Sequence, residues 1–180
     1  PDSRKAHIQA IVDLTVDQAY PGVTLDYQGM GSDYRGDFST FVRELGDALH
    51  AKNKILGVIL ALPVQRSSEV WDTGAFDWGS IGQAADIVRI PLPTDRAAFA
   101  GAPSAVSVYL QWAVGQIDQY KLHLDFSVLG RDEFENSYAP VSFANALKLM
   151  GPIQVPSTVA PDSKATLDLP RLRESGGVKF

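Results

Sequence analysis

The sequence predicts an α/β fold built on a parallel sheet, and three observations point there. Apolar runs and amphipathic segments alternate from Ser3 to about Met150, the pattern of repeated βαβ units. The run "ILGVILAL" (55–62) is apolar almost throughout, as a parallel strand covered on both faces would be. No Gly-rich phosphate loop follows any strand candidate, which takes support from a nucleotide-binding sheet. Two architectures remain open on element order alone: a doubly wound, flavodoxin-like sheet and a (β/α)8 barrel. In both, the active region lies beyond the carboxyl ends of the strands.

Taken in order, residues 3–19 place Ile8, Ile11, Val12 and Thr15–Val16 on one helical stripe, with Asp2 or Ser3 as the expected N-cap. "GVTLDYQ" (22–28) reads as a strand. "YRGDFSTFVRELGDALHAK" (34–52) spaces Phe38, Phe41, Val42, Leu45, Ala48 and Leu49 by threes and fours, an amphipathic helix that Asn53 should stop. The strand "ILGVILAL" leads into a loop holding Pro63 and Trp71, then a short helix "DWGSIGQAA" (77–85). A strand "DIVRIPLP" (86–93), a helix "SAVSVYLQWAVGQI" (104–117), a strand "KLHLDFSVL" (121–129) and a helix "PVSFANALKLM" (140–150) complete the alternation. From Gly151 the reading is an irregular tail, 151–180, with a candidate strand "KATLDL" and a last strand beginning at "GVKF".

The composition limits the function. At 180 residues the chain suffices for one domain with a real core. A net charge of −5 with no basic stripe speaks against nucleic-acid binding. The absence of cysteine removes disulfides, thiolate metal sites and cysteine nucleophiles. No apolar run approaches the roughly 20 residues of a membrane span. The opening "PDSRKAHIQ", without an initiator Met, is expected of a processed chain or an excerpt.

The chemistry-bearing residues are few. Thr24, Asp26 and Gln28 recur at every second position of "GVTLDYQ", so a strand would point all three the same way, at its carboxyl end. Asp125 interrupts an apolar strand; it is either an interior acid with a partner or half of a two-carboxylate site with Asp26. Asp95, past "DIVRIPLP", is a ligand-contact or turn-forming candidate. Trp71, Trp78 and Trp112 are stacking candidates, with Trp112 on the apolar stripe of its helix and Trp71 in a loop. His7, His50 and His123 show no ligand spacing, and no metal or cofactor is implied.

The series "YPGVTLDYQG", "FSTFVRELGDALHAKNKILGVIL", "WDTGAFDWGSIGQAADIVRI", "KLHLDFSVLG" and "SYAPVSFANALKLMG" resembles glycoside hydrolase family 18, in its spore-cortex and peptidoglycan-associated branch. The resemblance implies a portion of a (β/α)8 TIM barrel, about strands 4 to 7 with the start of strand 8, over residues 1–180. It also implies placement outside the cell or in its envelope. In that family the fourth strand ends in D-x-x-D-x-D-x-E, whose Glu protonates the glycosidic oxygen while the substrate's N-acetyl carbonyl attacks, an exception to the two-carboxylate scheme. Those four motif positions fall on Pro21, Thr24, Asp26 and Gln28, so only Asp26 is kept. An amide does not titrate near neutral pH, and loss of general acid catalysis costs on the order of 10²–10⁴-fold. The sixth strand's Met-x-Tyr-Asp reads "IPLPTD", and the seventh strand's Gly-x-Pro-x-Tyr-Gly keeps only Gly130, with Leu129 before it and Pro91 on the sixth.

The resulting expectation is a non-catalytic relative, structural or weakly binding an N-acetylglucosamine-containing glycan through Thr24, Asp26, Gln28, Asp95 and Trp71. One alternative is an active N-acetylglucosaminidase or chitinase-type enzyme, with Gln28 engineered or the acid relocated. Another is an α/β assembly module completed by a partner chain. A half barrel would leave two strand edges bare, for the rest of a parent chain or another protein to cover.

Overall fold

The computed structural model describes residues 2–127, 129–134, 137–150 and 176–179. The chain divides into two compact units, 1–126 and 127–180.

In the first unit, α1 (Asp2–Asp17), β1 (Gly22–Leu25), α2 (Arg35–His50) and β2 (Ile55–Ile59) come first. A short antiparallel pair follows, β3 (Val64–Gln65) with β4 (Trp71–Asp72). Then come α3 (Trp78–Ala84), β5 (Ile87–Pro91), α4 (Ala105–Gln116) and β6 (Leu122–Asp125). The parallel sheet has the order β1-β2-β5-β6. That order decides between the two architectures. A doubly wound sheet reverses its strand order to put helices on both faces. Here the order never reverses, so right-handed crossovers carry every connecting helix to the same face. The helices do form one layer, α1 on α2, α2 on α3 and α3 on α4.

Burial follows from that layer. Leu25, Leu56, Val58, Val88 and Ile90 point under the helices and join Val42, Leu45, Leu49 and Ile81 in one core. Each such side chain contributes roughly 1.5–3 kcal/mol by leaving water. Among the described residues of this unit the opposite face carries no helix: Ile55 is 45% exposed, and Thr24 and His123 are exposed as well. The apolar run 55–62 therefore does not mean a strand covered by helices on two sides, since the described helices of this unit form one layer on one face. β1 and β6 are the sheet's edges, and among the described residues neither has a further strand paired to it.

The helix ends obey local chemistry. Asp77 Oδ1 accepts from Ser80 N at 2.9 Å to cap α3, and Ser104 Oγ accepts from Ser107 N at 3.1 Å to cap α4. Asn53 stops α2 in the left-handed region, φ +54°, while Lys54 N donates back to Leu49 O at 3.0 Å. At α1 the expectation fails in detail. Asp2 and Ser3 lie inside the helix rather than capping it, and Val16 is exposed where Ile8, Val12 and Thr15 are buried.

The second unit holds a sheet of order β8-β7-β9, with β7 (Gly130–Phe134) antiparallel to β8 (Ser137–Val141) and to β9 (Gly176–Lys179). α5 (Phe143–Met150) packs on β7. The sequence reading starts this helix at Pro140. The structure instead pairs Pro140 with Arg131 on edge strand β8, where a residue lacking N–H is tolerated. Ser142 begins the helix, its Oγ accepting from Asn145 N at 3.3 Å. "KATLDL" lies outside the described residues, and "GVKF" overlaps β9, which pairs with β7.

Candidate functional site

The polar row stands where β1 runs out. The strand is four residues long rather than seven, so Thr24 is in the ladder while Asp26 and Gln28 follow it on a loop. Thr24 registers with Gly57 of β2, and a Cβ on Gly57 would come within 2.7 Å of Thr24 Oγ1. The missing side chain at position 57 gives the threonine its place on the open face. Beyond Leu25 the alternation continues without the ladder. Gln28 Nε2 donates to Asp26 Oδ1 at 2.6 Å, and both residues are exposed. Tyr27 turns the other way, its hydroxyl 2.9 Å from His7 Nε2 and its ring edge-on to Phe38 and Phe41. The His7 ring in turn stacks on Phe41, with centroids 5.5 Å apart. Together with Met30 and Tyr34 these rings line an open groove of about 810 Å³ on the helix side of the loop.

Asp125, a lone acid by sequence, has a partner in Arg89. Arg89 Nε and Nη2 donate to Asp125 Oδ1 at 3.0 and 2.9 Å. Arg89 lies two residues before Pro91, and Pro91 is the register partner of Asp125, so both charges stand on the open face, Arg89 midway along β5 and Asp125 at the carboxyl end of β6. Asp26 and Asp125 are brought no closer by the fold than opposite edges of the sheet. Three strand spacings separate β1 from β6, about 14 Å at the usual interstrand distance.

Of the tryptophans, Trp71 stacks on Trp112 with centroids 5.0 Å apart and planes at 21°, and it also meets Tyr109 at 5.8 Å. One face of its ring is thus already occupied. Trp78 is buried and tilted against Trp112 at 4.8 Å. Tyr109 donates to Pro91 O at 3.3 Å, and burial pushes its phenol well above the ordinary value. Asp95 caps the 3₁₀ turn Arg96–Phe99, accepting from Ala97 N at 2.9 Å. His50 sits 2.9 Å from Asp86 Oδ2, which also accepts from Leu56 N at 2.8 Å. Among the described residues no three His, Asp or Glu side chains converge as a metal site.

No family model matches the chain. It is 24% identical over 160 residues to the Bacillus subtilis protein named "Putative sporulation-specific glycosylase YdhD", a match covering 86% of this chain and 37% of that protein. It is 22% identical over 138 residues to "Uncharacterized glycosylase YvbX" of the same organism, covering 72% and 39%. Among solved structures, a chitinase from Chromobacterium violaceum superposes with a TM-score of 0.68 at 22% identity, over 83% of this chain and 49% of that one. The spore cortex-lytic enzyme SleL of Bacillus megaterium gives 0.64 at 19%, over 82% and 36%. The chain is glycoside hydrolase family 18-like. Its four-stranded sheet is a portion of a TIM barrel wall. The chain spans less than two fifths of the length of the curated relatives it matches.

In this family 18-like chain, the sequence singles out Asp26, Gln28 and Asp125 as candidates, and the structure adds Arg89 as the partner of Asp125. A signal was there to use. Arg89 and Asp125 are opposite charges in the middle of two successive apolar strands, which only a cross-strand pair makes reasonable. The His7–Tyr27 groove had no comparable signal, because its two halves come from different helices and a loop.

Proposed function

We propose that this chain is a non-catalytic glycoside hydrolase-like domain, with a structural or weak glycan-binding role in the cell envelope. The observation that carries the reading is the hydrogen bond from Gln28 Nε2 to Asp26 Oδ1. The position that resembles the family's proton donor holds an amide, which donates a hydrogen bond to the retained Asp but has no proton to give a leaving oxygen. The site keeps a polar array that suits sugar hydroxyls and acetamido groups without the acid that would cleave between them. Envelope placement rests on relatives named for sporulation and for spore-cortex lysis. No described helix is long and apolar enough to cross a membrane. Thr24 and Asp95 join the proposed contacts, with the outward face of Trp71.

A relocated acid finds less support. Asp125, the other acid on the open face, is already engaged by the Arg89 guanidinium at 2.9 Å. The test is release of reducing ends from chitin oligomers and from peptidoglycan by the full-length protein carrying this chain. No release above background is expected, alongside measurable binding to one of the two. Clear turnover would overturn the reading.

A further inference from the structure

We infer that Tyr27 is the positioning residue of the Asp26–Gln28 pair: its ring and hydroxyl, seated on α1 and α2, hold the two polar side chains together on the other side of the loop. The inference goes beyond the glycan-binding reading above, because it concerns how the pair is set and not what the pair meets.

Between Leu25 and Met30 the chain has little else to hold it. β1 ends at Leu25, which is buried, and Met30 is the next side chain after Tyr27 to pack against the core. Gly29, just before Met30, takes the left-handed region, φ +73°, with open space where a Cβ would stand. Asp26 and Gln28 are exposed, and among the described residues each finds its side-chain hydrogen bond only in the other. That bond closes only while both side chains share one side of the chain, with the residue between them directed away. Within the sheet the ladder enforces such alternation. Past Leu25 the Tyr27 side chain does so instead.

Tyr27 is anchored twice. Its ring stands edge-on to Phe38, with centroids 5.9 Å apart, and to Phe41 at 6.0 Å. Both phenylalanines are buried on α2. The hydroxyl lies 2.9 Å from Nε2 of His7 on α1, and the His7 ring is itself stacked on Phe41 at 5.5 Å. Packing alone is a poor account of a tyrosine here, since a phenylalanine would fill the same ring position. The hydroxyl adds a bond to a different helix from the one under the ring, so it fixes the ring's angle as well as its place. The direction of the Asp26–Gln28 pair is thereby tied to α1, 19 residues before Asp26 at His7.

The experiment reads the Gln28 side-chain amide by NMR in the full-length protein carrying this chain, its two Nε2 proton signals assigned by their loss in Gln28→Glu. An amide with one proton engaged by a carboxylate shows a wider separation of the two signals than a solvated one. Tyr27→Ala should collapse that separation to the solvated value. Tyr27→Phe and His7→Leu should each lower the ratio of paired to free Gln28 about fivefold, the effect of one side-chain hydrogen bond. The double variant should fall no further, because both changes remove the same bond. Gly46→Ala, whose new Cβ would meet Ala84 and Leu56 rather than the loop, should lower the melting temperature and leave the Gln28 signals in place. Gln28 signals unmoved by Tyr27→Phe and His7→Leu would overturn the inference, as would signals that move equally in Gly46→Ala. If Tyr27→Ala fails to fold, the two milder variants decide. Absence of glycan binding would overturn the reading above and leave this one standing.

Discussion

Gln28 lies one hydrogen bond from Asp26, its Nε2 donating to Oδ1 at 2.6 Å. The contact closes over two residues of loop at the exit of β1, and it occupies the carboxylate with an amide.

Restoring the acid should not restore catalysis. Gln28→Glu exchanges an amide for a carboxyl group of nearly equal size and sets two carboxyls where one hydrogen-bonded pair stood. Like-charge proximity would raise the new acid's pKa, as a general acid requires. Positioning is worth several kcal/mol more, on the order of the acid itself, and the resemblance implies sixth- and seventh-strand signatures of which this sequence keeps Gly130. Turnover of a fluorogenic chitobioside by the full-length protein with Gln28→Glu should stay at background. Robust hydrolysis would show that the rest of the site was intact.

Trp71 should matter for stability. Its ring stacks on Trp112 and touches Tyr109, tying the β3–β4 hairpin to α4. For a half-buried Trp, Trp71→Ala should cost about 1–3 kcal/mol, less than the 3–5 of a fully buried ring. Urea denaturation gives the value. A loss of glycan affinity without any loss of stability would instead assign its outward face to the ligand.

Gly46 is a helix-interior glycine with a steric reason. A Cβ there would stand 2.9 Å from the Ala84 carbonyl oxygen at the close approach of α2 to α3. Intrinsic helix propensity alone would make Gly46→Ala stabilising by about 1 kcal/mol. Backbone cannot yield as a side-chain tip can, so the substitution should destabilise by about 1–3 kcal/mol. A raised melting temperature would refute the contact.

Acid should act on Asp86. Burial raises its pKa, but the Leu56 N–H and His50 more than offset this, and the carboxyl lies below the ordinary 3.8. A depressed folded-state pKa stabilises above the unfolded value, and that contribution is lost as pH falls through the folded value. The chain should therefore lose stability below about pH 4, and Asp86→Asn should flatten that acid limb while lowering stability at neutral pH. Urea midpoints between pH 2 and 7 check both.

The α/β class, the four parallel strands, most of the core and the family likeness were legible in the amino-acid order alone. Those follow from periodicity and local chemistry: Phe38, Phe41, Val42, Leu45 and Leu49 recur at helical spacing, and Asn53, Asp77 and Ser104 end or begin helices through bonds within a few residues. Thr24, Asp26 and Gln28 were also legible as candidates, because alternation needs nothing beyond the strand. Every relation between strands came instead from the folded chain. One helix-bare face follows from the unreversed order β1-β2-β5-β6, a property of pairing that no single segment encodes. Pro140 reads as helix until its strand neighbour, Arg131 of β7, is seen. Arg89 and Asp125 are 36 residues apart, and they meet because β5 and β6 pair in a register that sets Pro91 opposite Asp125. Local physics names the charges; the register of the sheet makes them a pair.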